Sequence, residues 1–153
     1  MKSPKRILLA SHGTPGGMAA EQAAITQAAA GALLHHLVVV PDFWKGMQGD
    51  DWLNNAATRD VFADYVESQL EREVRENMER VRKAAAKRKL RYRSEVIVGN
   101  PAECLLASAK RVRPELIVVG GLRPKRKTGY RSRMLNDKVL RELKAPLMVL
   151  PYP

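Results

Sequence analysis

The residues best suited to chemistry form an arginine-rich loop in the last third of the chain. The apolar run 116–119 is typical of a buried strand, and it ends in a glycine. Several cations and then a helical pattern follow. A strand, a loop and a helix N-terminus in this order commonly hold the phosphates of a nucleotide. The residues of this candidate anion site are Gly120, Arg123, Lys125 and Arg133, together with His12 after the first strand.

Side-chain cations stand in this loop where glycines would let backbone amides close around a phosphate. An arginine there brings its side chain into the space that the phosphate would occupy. The same arginine also forms bidentate hydrogen bonds to phosphate and attracts anions. Three interpretations therefore stay open: no tight nucleotide binding, an altered anion or nucleotide site, and ordinary nucleotide binding. The first of these is favoured.

The histidines offer a second set of candidates. His12 and Gly13 follow the first strand, where an imidazole could contact a phosphate, although a turn residue bonded to the backbone is the favoured interpretation. His35 and His36 do not lie at metal-ligand spacing from a cysteine or an acidic cluster. No paired carboxylates and no Ser/His/Asp arrangement are evident. The sequence therefore predicts neither an enzyme nor a metal site.

The formal net charge of +11 is the compositional anomaly of this chain. Such a charge attracts polyanions, which keeps a polyanion-binding module among the alternatives. Residues 80–93 carry eight Lys or Arg and no acid. Tyr92 is the sole aromatic residue in this block, so stacking on bases is not supported. A solvated helix end is favoured over a nucleic-acid site.

The elements that must position these residues alternate between strand and helix patterns. Alternation of this kind predicts right-handed crossovers, hence an α/β fold with an open, Rossmann-like, five-stranded parallel sheet and helices on both faces. Ligands then lie beyond the loops that follow the first and fourth strands. We expect one domain over residues 1–153. The strands are predicted over 6–11, 33–40, 91–98, 116–119 and 145–150, and the helices over 14–30, 59–88, 100–112 and 134–143.

The amino-acid composition also indicates the cellular compartment of the protein. A single cysteine, Cys104, falls on the apolar pattern of a predicted helix, which is typical of a core residue in a reducing environment. The chain has no run of eighteen apolar residues, and its first residues make a poor signal peptide. We therefore expect a cytoplasmic protein with no membrane span.

Five short motifs follow one another along the chain at 6–9, 99–103, 116–120, 137–141 and 145–149. Their types, order and spacing resemble the universal stress protein family over essentially the whole chain. The turn 99–103, Gly-Asn-Pro-Ala-Glu, is similar to the family's Gly-Asp-Pro-Ala-Glu. The remaining matches are the opening strand 6–9, the strand end 116–120, and the closing segments 137–141 and 145–149. The resemblance implies the Rossmann-like fold of the adenine nucleotide alpha hydrolases and a stress-response function.

ATP-binding members of that family carry Gly, two residues, Gly, nine residues, then Gly and Ser or Thr. On this chain the four positions hold Gly120, Arg123, Arg133 and Met134, so three are replaced. His12 aligns with an aspartate that follows the first strand in many members. The resemblance thus implies ATP or another adenine nucleotide as the candidate ligand, with no cofactor expected to bind tightly. The full candidate site is His12, Gly13, Val40, Gly120, Arg123, Lys125, Arg133 and Met134.

The resemblance also implies a homodimer. The last strand of the chain would pair with the same strand of a second copy, because an apolar edge strand left unpaired tends to associate with other chains. The leading hypothesis is a non-catalytic stress-response homodimer with a degenerate nucleotide-binding loop. A nucleotide- or anion-binding switch and a polyanion-binding module are the alternatives. The interface residues would be Leu147, Met148, Val149 and Leu150.

Overall fold

The computed structural model describes residues 3–10, 15–40, 72, 74–98, 100–120 and 135–151, with residues 15–17, 40 and 98 described by their backbone alone. The elements alternate between strand and helix, as expected from the sequence. In chain order they are β1 (Arg6–Ala10), α1 (Pro15–Gln27), β2 (Leu33–Val40), α2 (described over residues 74–87), β3 (Arg91–Val98), α3 (Pro101–Val112), β4 (Leu116–Gly120), α4 (Asp137–Glu142) and β5 (Leu147–Leu150).

The five strands form one sheet in the order β3-β2-β1-β4-β5, and every pair is parallel. The predicted α/β fold is therefore confirmed. The order reverses between β1 and β4, which are neighbours although they are distant in the chain. Their register pairs Ala10 with Val119, so both strands end at the same edge of the sheet.

The sheet is covered on both faces because successive side chains of a strand point to opposite sides. Ile7 and Leu9 pack in one cluster with alanines of α1 and with Val81 of α2. Leu8 packs in the other cluster with Leu105 of α3. The chain therefore leaves β1 toward α1 on one face, while α3 and α4 cover the opposite face.

Asparagine side chains set the starts of two helices. The Asn100 side chain accepts a hydrogen bond from the Glu103 amide at 3.1 Å, which confirms the predicted start of α3. The Asn136 side chain accepts from the Val139 amide at 2.8 Å, so α4 begins at Asp137. The predicted start at Met134 was too early, because this cap is available only with Asn136 in an extended conformation.

Two further helix boundaries differ from the pattern. Helix α1 ends at Gln27, three residues before the predicted Ala30. Gly31 takes a φ of +72° in the turn that leads into β2 instead of ending the helix directly. Helix α2 ends at Lys87, one residue before the predicted Arg88, and Lys89, with a φ of 58°, lies in the turn that leads to β3. The start of the predicted helix 59–88 lies outside the described residues.

Candidate functional site

Strands β1 and β4 end at one edge of the sheet, and most residues of the predicted anion site follow these two strands in the chain. Helix α1, which comes after β1, covers one face of the sheet, and α4, which comes after β4, covers the other. In open parallel sheets, ligands commonly bind in the crevice beyond the strand ends at such a switch in strand order. Ala10 and Gly120 mark the two strand ends, and Val40 ends β2 on the far side of β1. Strands β1, β2 and β4 thus all end at one edge of the sheet, as the sequence predicted.

The structure brings together only part of the predicted site. Val40 and Gly120 reach the same edge of the sheet, separated by β1. The other candidates lie outside the described residues: His12, Gly13, Arg123, Lys125, Arg133 and Met134. Each of them follows β1 or β4 directly in the chain, or lies between β4 and the cap of α4.

A second polar cluster lies between the sheet and the helices α1 and α2 that cover one of its faces. Glu21 of α1 is 5% exposed, and its carboxylate accepts hydrogen bonds from Arg80 of α2. The Arg80 Nη2 atom lies 2.9 Å and 3.0 Å from the two carboxylate oxygens. Arg80 also donates to the side-chain oxygen of the buried Asn77. Sequence reasoning missed this cluster, although Glu21 lies three residues before Ala24 on the buried stripe of α1.

His36 belongs to the same region and is fully buried on β2. Its Nδ1 atom lies 2.7 Å from the Tyr92 hydroxyl oxygen, and that hydroxyl donates to the Met78 carbonyl at 3.3 Å. Because the hydroxyl has one proton, the His36 Nδ1–H is the donor to Tyr92. Burial lowers the pKa of His36 from 6.5 to about 4, and the positive charge of Arg80 contributes to this shift. Within the described residues, His36 Nε2 has no hydrogen-bond partner.

His35 lies on the other face of β2 and pairs with β3. Its Nε2 atom lies 2.9 Å from Oε2 of Glu95, and the other carboxylate oxygen, Oε1, accepts a hydrogen bond from Arg111 of α3. Burial raises the pKa of Glu95, but the hydrogen bonds from His35 and Arg111 more than offset it, so that pKa lies below its usual value. Both histidines therefore tie β2 to β3.

Metal sites and membrane-spanning helices are both absent from the described parts of the chain. No group of three or more His, Cys, Asp or Glu side chains there has the arrangement of a metal site. None of the helices described has the length and apolar character needed to cross a bilayer. Cys104 is half-buried and packs against the cluster under α3.

Comparison with known families decides the family of this chain. The model of the universal stress protein family matches residues 4–151. The chain belongs to the universal stress protein family. The sequence matches none of the curated proteins.

Solved structures of universal stress proteins share this fold. One from Burkholderia pseudomallei is 22% identical with a TM-score of 0.67, the match covering 96% of each chain. A universal stress protein in complex with cAMP is 18% identical with a TM-score of 0.64, and 99% of each chain is covered. A family protein from Arabidopsis thaliana with AMP bound is 14% identical with a TM-score of 0.62, covering 98% of this chain and 93% of that one.

Proposed function

We propose that this chain is a non-catalytic universal stress protein that acts as a homodimer and has a degenerate nucleotide-binding loop. The observation that carries the proposal is the switch in strand order between β1 and β4, with Gly120 at its edge. Related folds hold cAMP and AMP. The segment that follows β4 in the chain carries Arg123 and Arg133 at two positions where ATP-binding relatives have glycine.

The proposed site consists of that crevice and the residues around it. Gly120 keeps the first glycine position at the end of β4, where a nucleotide phosphate would approach the backbone. At the positions of Arg123 and Arg133 the ATP-binding relatives have glycine, so arginine side chains there would take up the space of the phosphates, and Met134 lacks the hydroxyl of Ser or Thr. ATP binding is therefore weak. His12, Gly13, Val40 and Lys125 complete the proposed site.

Isothermal titration with ATP, AMP and cAMP, with and without Mg²⁺, tests this loop. The natural chain should bind ATP weakly. The variant Arg123→Gly/Arg133→Gly/Met134→Ser should bind it at least about tenfold more tightly, which corresponds to about 1.4 kcal/mol. Micromolar ATP affinity in the natural chain, with no gain in the variant, would sink the degenerate-loop proposal.

The non-catalytic part of the proposal rests on the residues around the crevice. Neither sequence nor described structure offers a base beside a nucleophile at this edge. Incubation of the restored variant with ATP and Mg²⁺ should release no phosphate above the rate of a buffer blank. ATP hydrolysis that persists through purification and disappears in a Gly120→Val variant would contradict the non-catalytic proposal.

The homodimer proposal rests on the exposed edge of β5. Leu147–Leu150 is entirely apolar, and β5 is the last strand of the described sheet. Val149 is 43% exposed. The opposite edge strand, β3, instead carries charged residues such as Arg93 and Glu95, which discourage pairing with another chain. An apolar, uncharged edge favours association of β5 with a second copy.

Light scattering tests the dimer. The natural chain should show twice the chain mass of 17.1 kDa. Val149→Lys places a charge in the proposed interface and should yield the monomer. Val96→Lys is the matched control, because Val96 is 46% exposed on β3. A natural chain that is monomeric at every concentration, or a control that dissociates equally, would refute this interface.

We also propose that residues 1–153 act as one domain in the cytoplasm. The single cysteine supports a reducing compartment. Cell fractionation should recover the protein with cytoplasmic markers, and recovery with a membrane or secreted fraction would contradict the assignment.

A further inference from the structure

The topology gathers cations from the whole length of the chain at the edge of the sheet opposite the proposed nucleotide crevice. In a parallel sheet all strands start at one edge, and the helices that precede them end there. This edge, the amino-end face, therefore combines residues that are far apart in sequence. Its exposed cations are Lys5, Arg6, Lys87, Arg88, Lys89, Arg91, Lys110, Arg113, Arg141 and Lys144.

Backbone hydrogen bonds hold these strand starts side by side. The Leu33 amide donates to the Lys5 carbonyl at 2.8 Å, and the Arg91 amide donates to the Ala32 carbonyl at 2.8 Å. The Glu115 amide donates to the Arg6 carbonyl, also at 2.8 Å. The face thus runs across all five strands, a width of about 19 Å at the usual strand spacing.

Few carboxylates oppose these ten cations. Only Glu115 and Glu142 are exposed acids at the starts of the described strands. The ion pairs within the described residues use other cations, namely Arg80, Arg82, Arg111 and His35. Arg91 donates from Nε to the Gly31 carbonyl and keeps its remaining donors available. The face therefore carries a large excess of positive charge.

Compensation of helix dipoles does not account for this excess. Each helix C-terminus is equivalent to about half a negative charge. Four helices end at this edge, so together they offset only about two of the surplus cations. Most of the positive charge therefore remains available to an external anion.

Part of the face is concave. A groove of about 460 Å³ lies between the C-terminal ends of α3 and α4. Lys110, Arg113 and Lys144 line it, together with Glu142 and an apolar floor that includes Leu143. The concave shape lets several cations surround one phosphate.

We propose that the amino-end face binds the phosphate backbone of double-stranded nucleic acid without reading its sequence. A duplex carries one charge per about 1.7 Å of its axis, so the width of this face spans roughly eleven phosphates. The only aromatic side chain in the basic block, Tyr92, is half-buried and hydrogen-bonded internally, which disfavours stacking on single-stranded bases.

A membrane surface fits the face less well. Membrane-surface binding usually adds apolar side chains that enter the lipid boundary. The exposed large apolar residues of the described chain are Met18, Val96, Leu140 and Val149. Only Leu140, which precedes Arg141 in the last turn of α4, lies near this face. The face therefore offers a high density of charge and little apolar surface for insertion, as binding to a duplex backbone requires.

Fluorescence anisotropy with a labelled 20-base-pair duplex of random sequence tests the proposal. The natural chain should bind at low salt, and its affinity should fall steeply up to physiological salt. The variant Lys110→Gln/Arg113→Gln/Lys144→Gln should bind about tenfold or more weakly, with the salt slope reduced by about one for each phosphate that the variant no longer neutralises. Circular dichroism and thermal melting verify that each variant is folded.

The matched control removes three exposed cations that lie away from this face. Arg72→Gln/Lys83→Gln/Lys138→Gln changes the net charge equally, and it should keep duplex affinity within about threefold. Equal losses in the two variants would show that bulk charge acts and would overturn the assignment to this face. No binding even at low salt would overturn it as well. Stronger binding to phosphatidylserine vesicles than to the duplex would replace nucleic acid with a membrane.

Discussion

Replacing His36 with phenylalanine should reduce the dependence of stability on pH. His36 is fully buried, and burial together with the charges of Arg80 and His35 lowers its pKa from 6.5 to about 4. The folded protein therefore holds this imidazole neutral at pH values where the unfolded chain binds a proton. Phenylalanine fills a similar volume and does not titrate, and the Tyr92 hydroxyl keeps its bond to the Met78 carbonyl.

Proton linkage gives the sign and the size of the change in unfolding free energy with pH. Between pH 6.5 and pH 4 the unfolded state binds one more proton at this site, so the free energy of unfolding rises with pH. The slope approaches about 1.4 kcal/mol per pH unit within the window. Acidification from pH 7 to pH 5 should therefore remove about 2 kcal/mol through His36 alone. Glu95 also has a lowered pKa, but its contribution is lost at lower pH, below its ordinary value of 4.5.

Urea unfolding at pH 7, 6 and 5 measures the effect. The two proteins will differ in stability at pH 7, because the variant loses the hydrogen bond between His36 and Tyr92. The informative quantity is the change with pH, and the natural chain should lose about 2 kcal/mol more than His36→Phe between pH 7 and pH 5. If the two losses agree within about 0.5 kcal/mol while m-values stay equal, the imidazole is not held neutral by the fold.

Three substitutions test the packing and the polar cluster. Leu105→Ala removes a fully buried side chain under α3 and should cost about 2–5 kcal/mol, measured by urea unfolding. Asn100→Ala deletes the cap of α3 and should cost about 1 kcal/mol, whereas Asn100→Asp should cost little; equal losses would mean that the side-chain oxygen is unimportant. Arg80→Met removes the Arg80 partner of the buried Glu21 carboxylate and should cost about 1–3 kcal/mol, since the Arg80 side chain is 41% exposed. Glu21→Leu/Arg80→Met should recover part of that loss in the same assay, and a further loss would contradict the desolvation argument.

Periodicity was sufficient for the elements but not for every boundary. The apolar run 116–119 and the cap at Asn100 are local signals, and the structure has β4 and α3 at those places. The start of α4 at Asp137 depends on the backbone conformation of Asn136, which no pattern displays. The predicted positions Val40 and Gly120 do reach one edge of the sheet, while the remaining site residues stay predictions.

The sequence by itself determined the fold class and the family, and it predicted residues 121–134 as the anion-binding segment, because these inferences depend on period, order and local motifs. Strand order was decided only in the tertiary structure, since side-by-side pairing of β1 and β4 joins segments more than a hundred residues apart. The Glu21–Arg80 pair and the amino-end face also arise only in the tertiary structure. The cations of that face lie in separate segments from Lys5 to Lys144, and they become neighbours because parallel strands all start at one edge.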